Sequence, residues 1–265
     1  MRKSMISVLL MYCMWGFLCV TVSGEAVVLS SNGLDLKNLS ASPAAQAMPA
    51  VKPGLESPTE GGFVFYNRQF ITSTFGKNRQ VLLTFDDGPN PQTTPVVLDV
   101  LKRRGLKAIF FLVGTNVRKY PELVKRIHAE GHTIGNHTFF HLNLPRFSAD
   151  RITQEIRSTN ALIQGICGAK PAVFRPPYGG INKAVLDIVK NEGMSVMLWS
   201  VDPGDWRSRN MNRIIDNLKR QLHLDSGGRG GIVLLHDTLS STAHALEPFL
   251  VALTPAGAAL ALDAR

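Results

Sequence analysis

From about position 80 the chain alternates between short β-branched or aromatic runs and stretches whose apolar residues recur at helical spacing. The short runs are Val81–Phe85, Ala108–Val113, His132–Asn136, Ala172–Phe174, Met194–Val201, Gly231–Leu235 and Ala258–Leu262. After the first of them, Val96, Val97, Val100 and Leu101 share one face of a helix expected over residues 93–104. Pro121 is a suitable first-turn residue for a helix expected to reach Glu130, because its missing N–H would be unpaired there anyway. Ser148, Asn182 and Asn212 are read as the openings of three more, ending near Ile166, Glu192 and Leu222, since short polar side chains accept from a first turn's free N–H groups. Strands alternating with helices predict an α/β fold, a parallel sheet covered by helices. About seven such units predict closure into a barrel or barrel-like form in preference to an open sheet.

The segment before this pattern has a different character. Residues 25–62 are rich in Ala, Ser, Pro and Gly without a sustained period, and read as a flexible spacer. Residues 63–75 are apolar and aromatic enough for an extended lead-in. Arg2 and Lys3 precede an apolar stretch from Met5 to Val22, with Val22-Ser23-Gly24 open to cleavage. Residues 1–24 therefore read as a signal peptide or a membrane anchor, residues 25–77 as spacer and lead-in, and residues 78–265 as the catalytic domain. The implied location is exported: periplasm, cell envelope or secreted, with a membrane tether if the leader is retained. Cys13 and Cys19 fall in the leader, so Cys167 is the one thiol left and an internal disulfide is excluded.

A chain of 265 residues, 45% of them hydrophobic, can bury a large core without such staples. The formal charge of +9 comes from 29 basic and 20 acidic side chains. No basic block interleaves with aromatics and no nucleic-acid module signature is present, so the charge reads as a diffuse surface suited to an anionic polymer.

The chemistry lies where the strands end. Asp86 and Asp87 follow the first expected strand, His137 the third, Arg175 the fourth, Asp202, Asp205 and Trp206 the fifth, and His236 and Asp237 the sixth. In an α/β barrel these positions gather at the C-terminal face, where active sites are built. Gly88-Pro89 turns the chain after the two carboxylates, so both can reach one site from different angles. One can hold a metal while the other stays free to take a proton. His137 and His141 have the four-residue spacing that lets two imidazoles face one ion. Arg175-Pro-Pro-Tyr178-Gly is a stiff loop that can aim the Tyr178 amide at a developing oxyanion. Trp206 can stack on a sugar or wall an acyl pocket, and His236, paired with Asp205, would be held protonated as a general acid.

Taken together, Thr84-Phe-Asp-Asp-Gly88, His137-Thr-Phe-Phe-His141, Arg175-Pro-Pro-Tyr178, Asp202-Pro-Gly-Asp-Trp206 and Leu234-Leu-His236 resemble, in this order, the five motifs of the polysaccharide deacetylases of carbohydrate esterase family four. The resemblance covers residues 80–262, and the segments 86–91 and 199–206 are most similar to those of rhizobial chitooligosaccharide deacetylases. It implies a distorted (β/α) barrel and a divalent metal, usually zinc, on Asp87, His137 and His141. It implies Asp86 as general base supported by Arg175, and His236 as general acid tuned by Asp205. The Tyr178 N–H would help hold the oxyanion, and Trp206 and Leu234 would wall the acetyl pocket. The implied reaction is removal of N-acetyl groups from N-acetylglucosamine units of peptidoglycan, chitin oligomers or an exopolysaccharide. O-deacetylation of a xylan-like glycan and non-catalytic glycan binding are the alternatives.

Overall fold

The computed structural model describes residues 80–253 with their side chains, and the backbone of short strands at 9–12, 18–22, 25–29, 65–66 and 259–260. The rest of the expected leader and spacer lies outside the described residues. The chain divides into two units, Met1–Gln46 and Ala47–Arg265. In the first, Leu9–Tyr12, Leu18–Val22 and Glu25–Leu29 form a three-stranded antiparallel sheet. Among the described residues no helix is long and apolar enough to cross a membrane.

In the second unit, strict alternation along β1 (Gln80–Asp86) divides the core into two layers. Val81, Leu83 and Phe85 pack outward with the surrounding helices, whereas Leu82 packs inward with Ile109, Phe111, Val173, Met197 and Ile232. Thr84 and Asp86 continue Leu82's side of the strand. The same alternation runs through β2 (Ile109–Leu112), β3 (Thr133–Asn136), β4 (Val173–Phe174), β5 (Ser195–Met197) and β6 (Gly231–His236). Gly135 on β3 leaves room for an inward ring: a Cβ there would lie 2.4 Å from Phe111 Cδ1.

The sheet runs β6-β1-β2-β3-β4-β5, with every ladder parallel. A parallel bridge between Val201 and Val233 joins the chain beyond β5 back to β6. This is the expected distorted (β/α) barrel, but six strands, and not about seven, carry its wall. The stretch expected as a strand at residues 258–262 contributes only Ala259–Leu260, beside the first two residues of β1. In the lead-in, Phe65–Tyr66 pairs with β5.

The long apolar run expected as a strand over residues 194–201 is also shorter. Arg175 occupies its end: its Nε donates to Met197 O at 3.0 Å and its Nη2 to Leu198 O at 3.1 Å, so these carbonyls are taken by a guanidinium.

The helices are α1 (Thr94–Arg103), α2 (Gly114–Lys119), α3 (Pro121–Ala129), α4 (Ala149–Cys167), α5 (Lys183–Asn191), α6 (Asp205–Ser208), α7 (Met211–Gln221) and α8 (Ser240–Leu253). Ser148 and Asn182 cap α4 and α5 as expected, accepting from Arg151 N and Val185 N. Asn210, and not Asn212, caps α7 by accepting from Arg213 N at 3.1 Å. On α1, Val96 is exposed and Leu98 takes its expected place in the core. The pattern did not mark α8, whose interior Pro248 reads as a helix breaker. Its Ala245, Leu246, Phe249 and Leu250 are nonetheless buried, and tertiary packing outweighs the missing bond.

Candidate active site

Asp86 ends β1 on the inward side and is nearly buried. Its Oδ1 accepts from Arg175 Nη1 at 2.7 Å. Arg175 is itself fully buried; the same Nη1 donates to Thr84 Oγ1 at 2.7 Å, and the guanidinium lies 4.1 Å from the Phe111 ring centroid. Burial pulls the guanidinium pKa down and the Asp86 carboxylate opposes that fall.

Asp87 turns away from this pair. Its backbone is left-handed, with φ of 74°, and Asn116 Nδ2 donates to its carbonyl at 2.8 Å. The turn directs Oδ1 toward both imidazoles, 3.4 Å from His137 Nε2 and 3.1 Å from His141 Nε2. Burial acts to raise the Asp87 pKa, but the two histidines outweigh it and hold the carboxyl well below the usual range.

The histidine spacing works without a helix. Residues 137–141 form a loop in which Thr138 and His141 are both left-handed, with φ of 65° and 57°. Buried Glu155 on α4 shapes that loop: its Oε2 accepts from Phe139 N at 3.0 Å and Phe140 N at 2.7 Å. Asn136 Oδ1 accepts from Thr138 N at 2.8 Å. His137 Nδ1 is 2.7 Å from the Arg175 carbonyl, which can only accept. A proton on Nδ1 satisfies that contact and leaves Nε2 as the ring atom directed at Asp87.

Asp87, His137 and His141 thus bring one ligand atom each to within 4.8 Å of one another. Asp87 Oδ1 is buried and carries no hydrogen bond of good geometry. Two imidazole nitrogens and an otherwise unsatisfied carboxylate oxygen fit a divalent metal and leave positions open for water and substrate.

On the adjacent strand β6, His236 pairs in register with Asp86. Its Nδ1 is 2.8 Å from Asp205 Oδ1, and its backbone N–H donates to Asp205 Oδ2 at 2.8 Å. Thr242 Oγ1 and Trp206 N also donate to the fully buried Asp205. Burial alone would lower the His236 pKa; the Asp205 carboxylate, helped by Asp86 and Asp87, raises it to about 9.

The three wall candidates are placed differently. Leu234 is buried two residues before His236 on the same strand face. Tyr178, also left-handed with φ of 59°, sets its exposed ring edge-on to His141 at 4.8 Å. Trp206 joins the site through its backbone N–H on Asp205, and the residue is 54% exposed.

Several supporting residues escaped the sequence reading. Glu155, Asn136 and Asn116 sit inside elements where a polar residue ordinarily faces water, and only their partners reveal them. Asp202, by contrast, makes a local turn, accepting from Gly204 N at 2.8 Å. Asp237, beside His236, is fully buried: Thr94 Oγ1 donates to its Oδ2, and Oδ1 has no partner. Burial raises its carboxyl pKa to about 7, against the Thr94 hydrogen bond. It packs under the Asp87-Gly88 turn, where a Cβ on Gly88 would come within 2.5 Å of its Oδ1.

A sequence profile for polysaccharide deacetylases matches residues 75–197. A chitooligosaccharide deacetylase of Bradyrhizobium sp. (strain ANU 289) is 41% identical over 160 residues, covering 60% of this chain and 71% of that protein. The chain belongs to the polysaccharide deacetylase family. Another relative, the peptidoglycan-N-acetylmuramic acid deacetylase PdaC of Bacillus subtilis, is 40% identical over 185 residues. That match takes 69% of this deacetylase-family chain but only 38% of PdaC's length. The solved structure of PdaC superposes with a TM-score of 0.62 at 39% identity, covering 68% of this chain and 86% of the solved one.

Proposed function

We propose that the chain is an exported, zinc-dependent polysaccharide N-deacetylase acting on N-acetylated sugar units of an envelope or extracellular glycan. The observation that carries this reading is the division of labour between two consecutive carboxylates: Asp86 lies on Arg175, and Asp87 lies between His137 and His141.

Asp87, His137 and His141 would hold the metal. A divalent cation bound there supplies Lewis-acid polarisation of the acetyl carbonyl and a lowered pKa for water. Asp86 takes a proton as water attacks, and Arg175 keeps that carboxylate ionised and aimed. The left-handed turn at Tyr178 offers its N–H to the oxyanion. Leu234 and Trp206 wall the acetyl group.

An amine anion is a poor leaving group, so nitrogen must gain a proton as the C–N bond breaks. His236 supplies it, because Asp205 keeps the imidazole charged at neutral pH. An ester releases an alkoxide and needs this proton less. The strongly held proton on His236 therefore favours amide over O-acetyl substrates. The basic leader and apolar run of residues 1–24 support export as a signal peptide or anchor, with residues 25–77 as spacer and 78–265 as the catalytic domain.

The test is acetate release by the zinc-loaded and chelated protein on N-acetylglucosamine oligomers, peptidoglycan and acetylated xylan, with Asp87→Ala as control. Metal-dependent release from an amide substrate, absent in the control, is the expected result. Release from xylan alone moves the protein to the O-esterases, and no release from any glycan sinks the enzymatic reading.

A further inference from the structure

Beside the metal triad lies a cleft of about 430 Å³ lined by His141, Leu142, Asn143, Arg146, Phe147 and Tyr178. It shares His141 and Tyr178 with the catalytic site, so a glycan whose acetamide reaches the triad lays a neighbouring part of itself here.

The far wall is built to present two side chains. Leu144 is fully buried and pins a single 3₁₀ turn, Leu144–Arg146. Arg146 N donates to Asn143 O at 3.1 Å and Phe147 N to Leu144 O at 3.0 Å. Ser148 then caps α4. Arg146 and Phe147 are therefore exposed on a backbone held at both ends. An exposed phenyl face suits the C–H face of a sugar ring.

Arg146 differs from the other arginines of this region. Arg151 pairs with Glu155, Arg157 with Glu192 and Arg175 with Asp86. Arg118 lies 5.2 Å from the Phe139 ring centroid. Arg146 has no ion pair among the described residues. A guanidinium without an internal partner, in a cleft next to a reacting sugar, calls for an anion on the ligand, and its planar fork matches a carboxylate. Chitin oligomers are neutral and offer none. Peptidoglycan offers carboxylates at its muramyl units.

We propose that Arg146 is a specificity residue that binds a carboxylate carried by a muramyl unit, and so directs the enzyme to peptidoglycan in preference to neutral N-acetylglucosamine polymers. This rests on the N-deacetylase reading above. The carboxylate has two sources. The lactyl group carries it in strands freed of peptide; in peptide-bearing strands the lactyl carboxyl is spent in an amide and the stem peptide supplies the charge.

The experiment compares the zinc-loaded full chain with Arg146→Gln and Arg146→Lys. The substrates are neutral chitooligosaccharides, peptide-free glycan strands and peptide-bearing strands, and the readout is kcat/KM from acetate release. Wild type is expected to prefer a carboxylate-bearing substrate over the neutral one. Arg146→Gln is expected to lower that preference by roughly tenfold or more, the range for one charge-assisted hydrogen bond, mainly through KM. Arg146→Lys should recover part of it. Loss on peptide-free strands assigns the lactyl carboxylate; loss confined to peptide-bearing strands assigns the stem peptide. A wild type with no such preference, or a preference unchanged in Arg146→Gln, overturns the proposal while leaving the deacetylase reading standing. Absence of acetate from all three substrates overturns both.

Discussion

Asp205 grips His236 twice, taking the ring Nδ1–H on one carboxylate oxygen and the backbone N–H on the other, each at 2.8 Å. The second bond fixes where the strand end sits, and the first fixes the ring's tautomer and charge. His236 therefore presents a protonated Nε2 at the barrel mouth, on the strand next to Asp86.

Asp205→Asn should separate those two effects. The folded His236 pKa of about 9 exceeds its ordinary 6.5, so its contribution to stability is complete below pH 6.5 and fades as pH rises through 9. In the variant that pH dependence should largely vanish, as thermal unfolding between pH 6 and 10 would show. The alkaline limb of kcat on an amide substrate should move down by about two pH units, and a limb that stays at 9 would remove His236 as the acid.

Asp86→Asn and Asp87→Asn are near-isosteric neighbours with opposite expected phenotypes. The first should lower kcat by about 10²-fold or more while zinc binding persists, because a general base is lost and no ligand is. The second should lose zinc binding itself. Titration with a chelating indicator beside the activity assay distinguishes them, and equal zinc loss in both would refute the division of roles.

Arg175→Met should destabilise the fold by about 3–5 kcal/mol, since it strands the buried Asp86 carboxylate and frees the Met197 and Leu198 carbonyls. Arg175→Lys should recover little of this, because one ammonium lacks the planar fork that reaches all of Thr84, Asp86, Met197 and Leu198. Denaturant unfolding of the metal-free proteins gives the comparison.

Glu155→Gln should weaken zinc binding by roughly 10–100-fold with the barrel intact, as losses of support behind metal ligands do. The carboxylate takes both the Phe139 and Phe140 N–H groups that shape the His137–His141 loop. Circular dichroism and zinc competition would check both halves of this statement.

Asp237 gives a pH signature of the same sign as His236, in a lower pH window. Its folded pKa of about 7 lies above the ordinary 3.8, so the folded state keeps a proton that the unfolded chain loses in between. Wild-type stability should accordingly fall as pH climbs from about 4 to 7, and Asp237→Asn should flatten the slope. Gly88→Ala should fail across this whole range, because its Cβ would strike the Asp237 carboxylate at 2.4 Å.

The primary structure by itself determined the barrel class and the side of the barrel on which the candidate site residues gather. Period-two alternation on β1 and β6 puts Asp86 and His236 on the inward face of strand ends, and covalent order alone brings such ends to one mouth. The Ser148 and Asn182 caps were equally legible, being local chemistry. Only the tertiary structure decided the rest. How Asp87 comes to face the two histidines depends on a left-handed turn held by Asn116 from another element. The end of β5 meets an arginine from the end of the preceding strand, which takes the Met197 and Leu198 carbonyls. Glu155 reads as an ordinary polar residue until burial leaves it with a single set of partners, and α8 forms despite Pro248 because its apolar face has a core to fill. Local patterns encode where a side chain points; burial and the neighbours that arrive from distant sequence decide what it can bind.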